Sequence, residues 1–378
     1  MLPLASGSIS PMNKLVISNL LHRPLRSVIS IFAVAIEVIM ILTVVGIFMG
    51  MIKDQQQRTN GIGADLMMLG SNASMISGLG TPSMPVNDAI ALRKLPHVAI
   101  VSPAIQHTEV TTSAVSVLYG IDFPTFNAMR PFVFVSGGPF QDPNDAITDT
   151  IWAGAHHLHV GSTIQILDHP FRISGIVEPG KGGRTQVSLD TMASLMGVPG
   201  KASTFYIKCD DPANDKLVIQ EIHATPGLGN NDVISMNDFL SQLTPARLPG
   251  FNAALEAVTF IAVVVGFLVI FQTMYTAVLE RTREIGILKS MGASNPAIVG
   301  VVLRECAILA IVGVLVGIGG TFGVRLLMAQ FAPTLPCQIT AGWTARAAAI
   351  AFGGAILGAL YPAWVAARKD PVDALAYE

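Results

Sequence analysis

The chain has 378 residues, 51% hydrophobic and only 13% charged, with a formal net charge of −2. A soluble domain carries about 25% charged residues, so this balance points to the membrane and excludes the basic footprint of a nucleic-acid binder. Cys209, Cys306 and Cys337 show no CxxC or zinc spacing; Cys306 reads as a small core residue, and a Cys209–Cys337 disulfide is left open.

Residues 1–26 precede the first apolar run. Within them, Asn13–Arg23 alternates polar residues with Leu15, Val16, Ile17, Leu20 and Leu21 ahead of Pro24, which predicts a short helix in the inner membrane interface. Residues 27–52 form the first apolar run, too long for a signal peptide and sufficient for a span of ~20 residues. Further spans are predicted at 254–279, 297–328 and 342–367. Between the first two, residues 53–251 are enough for a separate folded domain, expected as two lobes. Alternation over 162–177 and 203–210 predicts strands. Segments 86–95 and 190–197 predict helices, the first capped by Asn87. The fold class is therefore an α-helical membrane protein with four transmembrane helices and a mixed α/β extracytoplasmic domain.

Positive charge orients these spans. Lys14, Arg23 and Arg26 precede span 1; Arg281, Arg283 and Lys289 lie in the 280–296 loop; Arg368 and Lys369 begin the 368–378 tail. The 329–341 loop has no Lys or Arg. Both termini and the 280–296 segment are thus expected in the cytoplasm, with 53–251 outside. Lys53 and Arg58 fall on the wrong side, but a large translocated domain is weakly bound by this rule.

Catalytic signals are weak. GKGGRT (180–185) lacks P-loop spacing and reads as a tight, mobile turn. His156, His157 and His159 have no carboxylate or Cys cluster at metal-site spacing, and no GxSxG elbow is present. A membrane-bound enzyme using these histidines is a minor alternative. Ionisable residues inside spans carry more weight. Glu37 sits near mid-membrane in span 1, either at a helix interface or on a substrate path, and Arg304 and Glu305 lie in the first third of span 3. Arg325 and Arg346 lie near outer ends, where long side chains snorkel. Gly313/Gly317, Gly319/Gly323 and Gly354/Gly358 have the spacing that lets helices approach closely.

The segment ERTREIGILKSMGAS (280–294) packs charge between two apolar runs. On a helix, Ile285, Leu288 and Met291/Gly292 share a face while Arg281, Glu284 and Lys289 lie elsewhere, with Gly286 and Gly292 as break points. That suits docking into a groove on another protein. The segment resembles the one that follows the second span in ABC permeases of the MacB/FtsX/LolC type. NLLHRPLRS (19–27), GIGADLMMLG (61–70), HVGSTIQILDHPFRISGIV (159–177) and YPAWVAARKDPVDALAYE (361–378) extend the resemblance over nearly the whole chain. In the last of these, Pro362, Ala363, Ala366, Pro371, Ala374 and Glu378 match; His156 and His157 fall in an ordinary helical stretch, and Glu305 takes the acidic position often seen in span 3.

The resemblance implies a MacB-like periplasmic core domain and a permease homodimer or heterodimer in the bacterial inner membrane, in contact with membrane lipids. A separate ATPase subunit would bind ATP and Mg, this chain binding no cofactor and catalysing nothing. Glu280, Arg281, Arg283, Glu284, Ile285, Gly286, Leu288, Lys289 and Gly292 would couple to that ATPase. The outer domain would move a lipid-like, lipoprotein or amphipathic substrate by mechanotransmission, with a periplasmic adaptor or membrane-fusion protein as an optional partner. The alternative is a mechanotransmitter that transports nothing and regulates an outer partner such as a cell-wall hydrolase.

Overall fold

The computed structural model describes residues 24–70, 81–110, 115–245, 247 and 250–369. The interfacial helix expected over Asn13–Arg23, and Pro371, Ala374 and Glu378 of the terminal motif, lie outside the described residues. Contacts divide the chain into a helical unit and a second unit made of Gly50–Phe251 with Phe331–Pro336.

Helix α1 runs from Pro24 to Gly61, 38 residues. Pro24 suits a first turn, where its missing N–H would have no partner anyway. At 1.5 Å per residue the helix is roughly 57 Å long, well beyond a hydrocarbon core of ~30 Å. It continues past residue 52, where the apolar run ends, through Lys53, Asp54, Gln55, Gln56, Gln57 and Arg58, and from Gly50 it folds with the second unit.

The second unit follows as β1 (Leu66–Leu69), β2 (Met84–Pro85), α2 (Asp88–Leu92), β3 (Val98–Val110), β4 (Val115–Ile121), α3 (Phe123–Met129), β5 (Phe134–Gly137), β6 (Asp145–Asp149) and α4 (Thr150–Ala155). It continues with β7 (Thr163–Ile166), β8 (His169–Val177), β9 (Thr185–Ser188), α5 (Leu189–Leu195), β10 (Lys201–Ala202), β11 (Thr204–Cys209), α6 (Asp215–Ala224), β12 (Asp232–Ser235) and α7 (Met236–Gln242). The strand pairs β2 and β10 form a small ribbon, and the rest make one ten-stranded sheet in the order β12-β1-β11-β3-β4-β9-β6-β8-β5, with β7 against β8. Pairing is antiparallel except for β4–β9 and β6–β8. The two expected lobes therefore share a single continuous sheet.

Central strands read as apolar runs because both faces are covered. All four residues of β1 are buried, as are five of the six in β11. Leu92 of α2 and Val218 and Ile222 of α6 pack on Leu66, Met68, Phe205 and Ile207. Phe126 and Met129 of α3 and Phe239 of α7 join Met67, Leu69 and Tyr206 in a second cluster. Asp149 and Ser235 cap α4 and α7 by accepting the Trp152 and Asp238 amides, satisfying donors that a helix start leaves orphaned. Asn87 does not cap α2: it is itself in the αR conformation and its side chain makes no capping hydrogen bond.

The helical unit comprises the membrane part of α1 with α8 (Phe251–Glu280), α9 (Thr282–Ser290), α10 (Asn295–Phe331) and α11 (Ala341–Arg368). Among the described residues, α1, α8, α10 and α11 are long and apolar enough to cross a membrane. Glycines set two of their contacts. A Cβ on Gly313 would lie 2.6 Å from the Val34 Cβ, and one on Gly317 would lie 2.7 Å from the Val38 Cβ and 2.9 Å from the Ala35 carbonyl. Gly358 meets the Phe267 carbonyl of α8 in the same way at 2.9 Å. Gly319 and Gly323 do not share this role, since nothing lies within 4 Å of where their Cβ atoms would be. Helix packing has selected one of the two small-residue pairs on α10 and left the other on an open face. The three cysteines are free thiols.

Candidate functional site

Helix α9 is a nine-residue element between two long helices, and its sequence TREIGILKS puts different chemistry on each side. Thr282, Ile285 and Gly286 are buried. Ile285 packs with Val278, Ile298, Ala366 and Ala367, so this side is turned into the chain's own bundle. Arg283, Glu284, Ile287, Ser290 and Met291 are exposed, Ile287 at 43% and Met291 at 72%. Positions 283, 287, 290 and 291 recur at helical spacing and form one outward face. The expected docking face is thereby corrected: Ile285 belongs to the core, Leu288 is half-buried, and the outward apolar residues are Ile287 and Met291.

Gly292 ends the helix. It has φ +94°, and the Gly292 and Ala293 amides donate to the Lys289 and Leu288 carbonyls at 2.9 and 3.0 Å, the left-handed cap that glycine adopts without strain. Gly286 is no break point; it lies buried in mid-helix.

Two charged contacts pin the hairpin from behind. The Arg281 guanidinium donates to Glu305 of α10 at 3.0 Å, with side-chain exposures of 11% and 6%. The Lys289 ammonium donates to the Ala367 and Lys369 carbonyls at 2.8 Å each, capping the C-terminus of α11, where a cation is favoured. Beside the ion pair is an apolar cavity of about 150 Å³, lined in part by Met274, Val278, Leu288, Ile298 and Val301. Arg304, next to Glu305, is exposed and makes no part of this arrangement. Glu280 is also exposed.

Glu37 is 4% exposed and lies where Gly266 of α8 and Gly354 of α11 leave room for its carboxylate. Its place is a three-helix interface. Its Oε1 has no hydrogen-bond partner among the described residues.

A second constellation joins the end of α1 to the sheet, and sequence patterning did not disclose it. Gly182 donates to the Arg58 carbonyl at 2.9 Å, and Gly61 abuts the Gly180 carbonyl so closely that any side chain there would collide with backbone. Arg184 bonds Asp54 of α1 at 3.1 Å and Asp149 of β6 at 3.3 Å. Burial raises the Asp149 carboxyl above the usual carboxylate range, while the Trp152 amide and Arg184 pull the other way. Lys181 donates to the Phe126 carbonyl at 3.0 Å and to that of Arg130, and its ammonium lies 4.0 Å from the Phe132 ring centre. Burial, reinforced by Arg130, brings the Lys181 amine down to about 7. The GKGGRT segment is thus a buried, anchored turn, not a mobile one: Lys181 and Arg184 are 8% and 7% exposed. Its only advance signal was a pair of cations among glycines, which a surface turn would show equally well.

Among the described residues the histidines belong to no metal-ligand cluster. His156 caps the end of α4 with its ring tilted against Trp152 at 4.2 Å between centres, and His157 follows at φ +53°, so both lie in the turn after the helix rather than in a helical stretch. Among the described residues no group of three or more His, Cys, Asp or Glu is placed to hold a metal ion.

Comparison with known proteins places these features in context. The family model of the MacB-like periplasmic core domain matches residues 27–225, and that of the FtsX-like permease C-terminal domain matches 257–371. The macrolide export ATP-binding/permease protein MacB of Neisseria gonorrhoeae is 24% identical over 95% of this chain and 59% of its own length. MacB of Rhodospirillum rubrum is 26% identical over 93% of this chain and 58% of its own. The chain therefore spans somewhat less than two thirds of the curated relatives it matches. Among solved structures, the periplasmic region of MacB from Actinobacillus actinomycetemcomitans has a TM-score of 0.38 at 16% identity, over 49% of this chain and 94% of that one. The extracellular domain of the transporter YknZ from Gram-positive bacteria has a TM-score of 0.35 at 14% identity, over 45% and 98%.

Proposed function

The chain belongs to the MacB/FtsX-type ABC permeases, and from that premise we propose that it is a multi-pass inner-membrane permease subunit driven by a separate ATPase. Helix α9 is the docking element. The observation that carries this reading is its division into an outward face of Arg283, Ile287 and Met291 and an inward face held by Arg281–Glu305 and Lys289. Exposed Ile and Met beside charge on a short, rigid element suit a partner groove better than water. The pinned side passes a push on α9 to α10 and α11.

ATP and Mg would be held by the partner, the termini and α9 would face the cytoplasm, and two permeases would assemble around the ATPase pair. The Gly50–Phe251 domain would answer with a conformational change outside the membrane that exports or extracts an amphipathic or lipid-like substrate. Macrolide export, the activity for which the MacB relatives are named, supports that substrate class.

The test is co-purification with a co-expressed ABC ATPase subunit from the same organism. Ile287→Asp with Met291→Glu should abolish association while leaving the permease folded in detergent. Ile285→Asp should instead damage the bundle itself. Retained association in the Ile287→Asp/Met291→Glu variant refutes the docking face.

A further inference from the structure

We propose that the exposed face of α11 binds an anionic phospholipid of the inner leaflet, with its phosphate on Arg368 and an acyl chain along Tyr361 and Phe271. The argument begins with the order of chemistry on that face. Leu357, Tyr361, Trp364 and Arg368 recur every three or four positions and fall on one side of the helix. Leu357, Tyr361 and Trp364 are 59%, 53% and 47% exposed, and Arg368 is exposed as well. From Leu357 to Arg368 the helix rises roughly 16 Å, close to half of a hydrocarbon core of ~30 Å. The face thus passes from aliphatic through aromatic to cationic in the order in which a leaflet passes from chain to phosphate.

Two further observations set the depth and the width of this surface. Trp343 and Trp364 lie at opposite ends of α11, roughly 32 Å apart along the axis, the spacing of interfacial anchors on a core of ~30 Å. Each has an arginine over its ring, Arg346 at 5.1 Å and Arg368 at 4.1 Å. At the Trp364 end the rings continue onto α8. Tyr361 lies 6.2 Å from Trp364 and 5.7 Å from Phe271, and Phe271 stacks on Phe267 and Tyr275 at 6.2 and 6.0 Å. Five rings thereby form one surface across two helices, broad enough for a chain to lie along it.

Charge selects the head group. The Lys289 bonds to the Ala367 and Lys369 carbonyls bring its ammonium to the helix end that carries Arg368 and Lys369. Among the described residues none of these three cations bonds a carboxylate. Glu284 of α9 lines the cavity beside α10 instead. The Trp364 ring covers one face of the Arg368 guanidinium and leaves its in-plane N–H groups to meet two phosphate oxygens at once. A zwitterionic head group brings its own ammonium into this cluster, whereas the net charge of an anionic one is answered by it.

Quenching of Trp364 fluorescence by brominated lipid tests the site in the full chain in nanodiscs, with Trp152→Phe and Trp343→Phe leaving Trp364 as the reporter. Dibrominated phosphatidylglycerol should quench at a lower mole fraction than dibrominated phosphatidylcholine. Arg368→Gln should cut that preference about fivefold, the share of one cation at a membrane surface, and Arg368→Lys should restore only part of it. Equal quenching by the two lipids overturns the proposal. So does a preference unchanged in Arg368→Gln or fully kept in Arg368→Lys, because diffuse surface charge then accounts for it. Trp364 shielded from both lipids overturns it too, by placing a protein such as a second copy of this chain on the face. The choice of leaflet rests on the orientation proposed above, but the head-group preference reads the same from either side. No ATPase is present, so the result is independent of the docking assignment for α9.

Discussion

Replacing Glu305 with Gln should destabilise the helical unit more than any surface change on α9. The carboxylate lies 3.0 Å from Arg281, with both side chains nearly excluded from water. At that distance the attraction is about 5 kcal/mol for an effective dielectric constant near 20. Desolvation offsets much of this in the intact pair, but deleting one partner removes the attraction while the other charge stays buried, at a cost of about 3–5 kcal/mol. Arg281→Met should cost a similar amount by removing the guanidinium from the buried Glu305 carboxylate. Arg281→Met combined with Glu305→Leu should cost less than either single change, because no charge of the pair then stays buried. The assay is reversible unfolding in mixed micelles, followed by the fluorescence of Trp343 and Trp364 in a Trp152→Phe background. Additive losses, or single changes within about 0.5 kcal/mol of wild type, would refute a coupled buried pair.

Two further expectations concern packing and acid. Gly317→Val should cost about 1–3 kcal/mol or more through overlap with Val38 and the Ala35 carbonyl, whereas Gly319→Val should be tolerated in the monomer; unfolding midpoints in detergent compare them. In the sheet domain, burial pushes Asp145 upward, but the Gln141 and Asp142 amides and Arg172 outweigh it and hold the carboxyl below the usual range. Its stabilising contribution is therefore present above the ordinary carboxylate value and fades as pH falls through the lowered one. Asp145→Asn should lower the melting temperature at pH 7 by ~2–6 °C, with the gap closing below about pH 4. A gap that persists into acid would show that Asp145 acts through shape and not through charge.

The four long helices and the mixed domain were legible because hydropathy and strand alternation are local properties of the chain. The division of α9 was not. Ile285 and Ile287 are chemically identical and two residues apart, and only the neighbours Val278, Ile298 and Ala366 decide which one is core. The same limit explains the glycines: spacing alone gives Gly313/Gly317 and Gly319/Gly323 equal standing, while the helix facing α10 meets only the first pair.

By itself the sequence determined which segments must leave water, where charge interrupts them, and the family motif that the interruption carries. These follow from composition over short windows, where each residue's transfer energy adds nearly independently. The tertiary structure decided everything that depends on partners distant in the chain. It set Arg281 against Glu305, Arg184 between Asp54 and Asp149, and Lys181 under two phenylalanine rings. A buried charge takes its meaning from what surrounds it, and for these residues the surroundings come from segments up to 150 positions away.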